Sequence, residues 1–129
     1  MDHAGAVTFA ERWKRDWNAH DLEGLLEHFT EDVVFTSPVA ARVIEGSGGV
    51  IRGKAALRNY WAVALARIPE LHFEVEGVYA GVDLIVINYR NHLGNLVNEI
   101  LKFDGDLVGE GHGTYLNDDA SGTSGVVGR

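Results

Sequence analysis

The chain has 129 residues, a formal net charge of −8, 46% hydrophobic and 23% charged residues, which suits one soluble domain with a real core. No Lys/Arg cluster is present to neutralise phosphates, so nucleic acid and anionic membrane are excluded as main partners. The lack of cysteine excludes disulfides, zinc–thiolate sites and thiol nucleophiles.

Val7-Thr8-Phe9-Ala10-Glu11 predicts a helix start, Thr8 and Glu11 forming a capping box. Phe9, Trp13 and Trp17 then fall on one helix face. The stretch MDHAGAVTFAERWK lacks the charged-then-apolar pattern of a signal peptide. No apolar run approaches the ~20 residues of a membrane span, so a cytoplasmic location is expected. Asp21 is a second N-cap, followed by Leu22, Leu25, Leu26 and Phe29 in a short helix ending near Thr30. Val33-Val34-Phe35 reads as a strand stopped by Ser37-Pro38, and the glycine-bearing stretch 42–51 as a loop or small hairpin. Lys54 to Ile68 is helical, with Leu57, Trp61, Ala64 and Leu65 on one face and Pro69 after it.

Beyond Pro69 the period changes to two. Four strands are expected at 70–79, 83–92, 95–103 and 107–116, joined at Ala80-Gly81-Val82, Leu93-Gly94 and Gly105-Asp106. Helices followed by an antiparallel meander make an α+β domain over 1–116, and the small polar composition of 117–129 predicts a disordered tail.

Two motifs tempt and fail. Gly48 to Lys54 has the G-x4-G-K spacing of a phosphate-binding loop, but Ala55 supplies no hydroxyl for magnesium and no parallel βαβ context surrounds it. The six histidines form neither H-x-H nor H-E-x-x-H, so no metal site is expected. Trp13, Trp17, Tyr60 and Trp61 are core residues by default, and also suitable rings to line a cavity.

Strand parity selects the chemical face. A two-residue turn at Gly105-Asp106 sets Glu99 opposite His112, Leu101 opposite Glu110 and Val97 opposite Thr114. A two-residue turn at Leu93-Gly94 brings Asn88 and Arg90 to the same side, joined by Phe73, Val75 and Val86. Ile85, Ile87, Tyr89 and the glycines of VGEGHGTY (108–115) then form the other face, suited to a second subunit. The opposite assignment is also open: the polar row is merely solvated and the Ile-Ile-Tyr face lies under the helices.

NAHDLEGLLEHFTEDVVFTSP (18–38), IRGKAALRNYW (51–61) and LKFDGDLV (101–108) resemble nuclear transport factor 2-like domains, in the SnoaL-like and ketosteroid-isomerase-like branch. The resemblance spans about residues 7–116. It implies a curved antiparallel sheet wrapped around helices, a cone with an apolar pocket, and dimerisation through the outer sheet face. In the isomerases a general-base Asp precedes a proline, and a Tyr and a protonated Asp form the oxyanion hole. Ser37, Trp13 and Glu99 stand at those positions here, so steroid isomerisation by that set is not expected.

The reading is therefore an acid–base enzyme, of isomerase, cyclase or hydrolase type, working on a small, partly apolar molecule without a cofactor. Glu99 and His112 are its candidate catalytic pair. Trp13, Trp17, Ser37, Tyr60, Trp61, Asn88, Arg90, Glu110 and Thr114 are candidate pocket residues. The alternatives are a non-catalytic binding module of the same fold and a dimer scaffold using Ile85, Ile87 and Tyr89.

Overall fold

Asp2 opens the first helix, α1 (His3–Asn18), because its carboxylate accepts a hydrogen bond from the Gly5 amide at 2.8 Å. The start thus lies a turn and a half before the expected capping box, and Thr8 sits inside the helix. The computed structural model describes residues 1–116; the expectation for 117–129 falls outside them. Trp13 and Trp17 are buried as their spacing requires. Asp21 caps α2 (Leu22–Leu26) through the Gly24 amide, as read. That helix is shorter than expected: Phe29 already belongs to β1 (Phe29–Thr36), where it pairs with Val108.

Ser37 ends the strand and begins α3 (Pro38–Val43), a short helix that the sequence pattern did not show. Its Oγ accepts from the Val39 amide at 3.1 Å, and Pro38 occupies the first helical position, where a missing N–H costs nothing. β2 (Val50–Arg52) and α4 (Lys54–Arg67) follow. The four expected strands form as β3 (Glu74–Ala80), β4 (Leu84–Arg90), β5 (Leu96–Asp104) and β6 (Leu107–Tyr115).

The six strands make one sheet in the order β2-β1-β6-β5-β4-β3. Every pairing is antiparallel except β1 with β6, which is parallel. α1 packs on β3 and α2, while α4 packs on β1, β2 and α2, so the helices share one sheet face. Among the described residues no helix is long and apolar enough to cross a membrane.

Two offsets of one residue decide what that face carries. The Gly105-Asp106 turn forms as expected, with Asp104 opposite Leu107 and a positive φ of 68° at Gly105. Beyond it Phe103 pairs with Val108 but Lys102 pairs with Glu110, leaving Gly109 as an extra residue in a bulge. From there Glu99 lies opposite Gly113, and His112 opposite Ile100. At the other end of β5, Asn91 and Asn95 close a loop of three residues instead of two, because the Asn91 carboxamide accepts from the Leu93 and Asn95 amides. Ile87 is therefore the partner of Glu99.

The two shifts turn β4 and β6 over relative to β5. Ile85, Ile87 and Tyr89 lie buried under the helices beside Val97, Glu99 and Leu101. They are core, not the bare surface for a second subunit that the two-residue turn implied. Gly111 and Gly113 also face inward, against Phe35 and Leu101 in one case and Ser37 and Glu99 in the other.

Gly111 tests this arrangement. A Cβ there would lie 2.9 Å from Phe35 Cδ1 and 3.1 Å from Leu101 Cδ2, both in side chains fixed in the core. Gly111→Ala is expected to lower stability by about 1–3 kcal/mol in urea unfolding, as overpacking does. An unchanged midpoint would place the glycine on the outer face.

Candidate functional site

The inner face of β4–β6, the end of β1 and helices α3 and α4 enclose a cavity of about 550 Å³. Its walls are largely aromatic: Trp17, Phe35, Tyr60, Trp61, Phe73, Tyr89 and Tyr115 all line it. Trp17 and Trp61 meet edge to face at 5.0 Å, and Phe73 lies 4.4 Å from Tyr89. Asn18 at the end of α1 holds Phe73 in place by bonding both its amide and its carbonyl, at 2.8 and 3.0 Å.

Glu99 is the acidic group of this interior. It is 5% exposed, and the Tyr89 hydroxyl donates to its Oε1 at 3.3 Å. Desolvation by burial raises its pKa to about 7, against a lesser lowering by the Tyr89 bond. Burial also raises Tyr60, Tyr89 and Tyr115, so their hydroxyls stay protonated at neutral pH and remain donors. Ser37 and Arg42 act in the opposite direction, favouring the phenolate at Tyr60 and Tyr115. Gly113 leaves the floor open: the position of a Cβ there is 3.5 Å from Ser37 Oγ and 3.6 Å from Glu99 Oε1. A carboxyl poised near neutrality thus shares one apolar space with several hydroxyl donors.

Of the residues singled out in the sequence, Trp17, Ser37, Tyr60, Trp61 and Glu99 line the cavity. Trp13 does not; it is packed beneath Phe73 and Tyr89 at 5.5 and 5.0 Å. Asn88, Arg90, Glu110, His112 and Thr114 lie on the other sheet face, so Glu99 and His112 are not brought together. His112 bonds Glu110 Oε2 through Nε2 and Thr36 Oγ1 through Nδ1, each at 2.6 Å. Glu110 also lies 3.8 Å from Lys102, and its pKa is lowered, first by the His112 bond. Arg90 pairs with Glu76, Asn88 with Asn98, and Thr114 donates to the Asn98 carbonyl.

Tyr89, Tyr115 and Arg42 were missed. The alternating glycines of β6 were the available signal: bare positions on one strand face mark where bulky side chains press against the backbone. Among the described residues no group of three or more His, Asp or Glu is placed to hold a metal ion.

The curved α+β sheet over an aromatic cavity defines a small-molecule pocket fold. The SnoaL-like domain family matches residues 10–114, and the chain belongs to it. A SnoaL-like protein of unknown function from Burkholderia thailandensis is 37% identical, with a TM-score of 0.84 over 91% of this chain and 99% of that one. AclR, a proposed hydroxylase from Streptomyces galilaeus, is similar in fold at 18% identity and a TM-score of 0.73, covering 97% and 98% of the two chains. TerC, crystallised with polyporic acid, is similar at 13% identity and a TM-score of 0.74, covering 92% and 95%. No curated protein matches.

The raised pKa of Glu99 has a consequence for folding. Unfolded, the carboxyl ionises near 4.5; folded, near 7. Between those values the folded state holds the extra proton, so stability falls as pH rises through this window and levels above it. The loss should be about 3 kcal/mol. Urea unfolding from pH 4.5 to 8 is expected to show this slope in the wild type and a much flatter one in Glu99→Gln. Equal slopes would show that Glu99 is not the group that titrates.

Proposed function

We propose that the chain is a cofactor-independent proton-transfer enzyme for a small, largely apolar carbonyl compound, with Glu99 as the proton carrier. The observation that carries this reading is the buried Glu99 carboxyl, with its pKa near 7, on the wall of an aromatic cavity. A carboxyl with that pKa holds substantial populations of base and acid at neutral pH, the condition for moving a proton in both directions. The ionised form would take the α-proton of a bound ketone, and the bonding pair would shift onto the carbonyl oxygen. Tyr60 and Tyr115, protonated donors in the same wall, would stabilise that enolate oxygen. Glu99, now protonated, would return the proton to another atom of the same molecule. This is the chemistry of an isomerisation or an aldol-type ring closure.

The reading replaces the Glu–His pair of the sequence with one carboxyl and a set of phenols. Membership of the SnoaL-like family supports a pocket protein, and the proposed hydroxylase AclR and ligand-bound TerC are consistent with small-molecule work in this fold.

Deuterium exchange at the α-carbon of 2-tetralone, followed by NMR in D2O, tests the proposal without knowledge of the natural substrate. The wild type is expected to accelerate exchange over buffer, with a rate that rises as Glu99 ionises through pH 7. Glu99→Gln should return the rate to the buffer value, and Tyr115→Phe should lower it by on the order of 100-fold. Exchange undiminished in Glu99→Gln would remove Glu99 from the reaction. Binding of the ketone without faster exchange in the wild type would make the cavity a binding site only.

A further inference from the structure

Arg42, in the last turn of α3, and Arg67, in the last turn of α4, line the same cavity. Both are exposed, so they stand at its mouth, while Glu99 and Tyr60 are buried inside. Arg58 and Arg90 reach carboxylates of their own, but among the described residues neither Arg42 nor Arg67 makes an ion pair or a side-chain hydrogen bond. Arg12 and Arg52 are likewise without such partners, but they do not line the cavity. Glu70 and His92 complete the charged and titratable groups of the mouth. Burial lowers the pKa of His92, more than Glu70 raises it, so the imidazole is neutral at pH 7. Two fixed positive charges against one negative leave the mouth cationic, in contrast to the protein as a whole.

We propose that the natural ligand is a flat aromatic acid whose carboxylate lies at the mouth between Arg42 and Arg67, its ring system running inward between the aromatic walls. The proposal names the ligand class for the cavity described above and rests on the reading of that cavity as a small-molecule site. Guanidinium groups suit the task, since their planar donors match a carboxylate two at a time and they are weakly hydrated. The body of the ligand follows from the walls. Trp17, Phe35, Trp61 and Phe73 offer ring faces and edges, and about 550 Å³ accommodates a fused two- or three-ring system.

Anthracene-2-carboxylate and anthracene-2-carboxamide, equal in shape and different in charge, test the proposal through their fluorescence on binding. Wild type should bind the acid about tenfold more tightly than the amide at low ionic strength, an advantage that shrinks with salt. The Arg42→Gln/Arg67→Gln double variant should lose that preference, the acid weakening much more than the amide. Glu99→Gln, which removes a partly ionised carboxyl from the same cavity, should keep or increase the preference for the acid. Equal binding of acid and amide by the wild type, or a preference that survives in the double variant, would overturn the proposal and leave the cavity reading standing. Failure of both compounds to bind would overturn the cavity reading and the ligand class with it.

Discussion

Glu99 is held inside the fold without a cation. Its one hydrogen bond comes from the Tyr89 hydroxyl, and Arg90, the next residue along β4, pairs with Glu76 on the other face. A carboxylate stripped of water and given so little in return keeps its proton to a higher pH. The aromatic walls that exclude water, the neutral phenols around it and the bare floor at Gly113 all follow from or serve that situation. Replacing Tyr89 by an arginine would bring the carboxyl back toward its ordinary range and remove its capacity to exchange protons near neutrality.

Side-chain alternation makes that placement sensitive to single residues. Glu99 shares one strand face with Val97 and Leu101, so β5 alone commits it to an apolar face, and that much was legible. What lay beside it depended on the two neighbouring registers. The bulge at Gly109 is a backbone event three residues beyond a correctly read turn, and a glycine there is compatible with an unbroken ladder too. The loop at His92-Leu93-Gly94 is set by Asn91, whose carboxamide replaces a backbone partner and lengthens the turn by one residue. Neither event disturbs hydrophobic periodicity, which is why a strand-by-strand reading assigned each strand correctly and turned two of them over.

The helical half was easier to read because its signals are local. Asp21 caps through the next turn, and the Trp13–Trp17 spacing fixes a buried stripe whatever the rest of the chain does. The same local logic shows its limit at the N-terminus, where Asp2 competes with Thr8 for the cap and the earlier position adds several residues of helix. Ser37 also read only in part. Its role before Pro38 was visible, but its approach to Gly113 requires β1 to lie beside β6, a long-range pairing that local pattern does not contain.

That pairing explains what the histidine of β6 accomplishes. β1 and β6 run parallel, the geometry with the less favourable ladder, and Thr36 and His112 are direct partners within it. The imidazole joins Thr36 to Glu110 by two short bonds and so adds a side-chain tie across the parallel seam. Immediately beyond Thr36 the chain turns into the Ser37 cap, with its hydroxyl directed to the space above Gly113. A tie on the outer face thus fixes the position of a hydroxyl on the inner one. The hydroxyl–imidazole–carboxylate set that looks chemical ties the sheet from behind the cavity, and the carboxyl with only a phenol for company is the one that faces it.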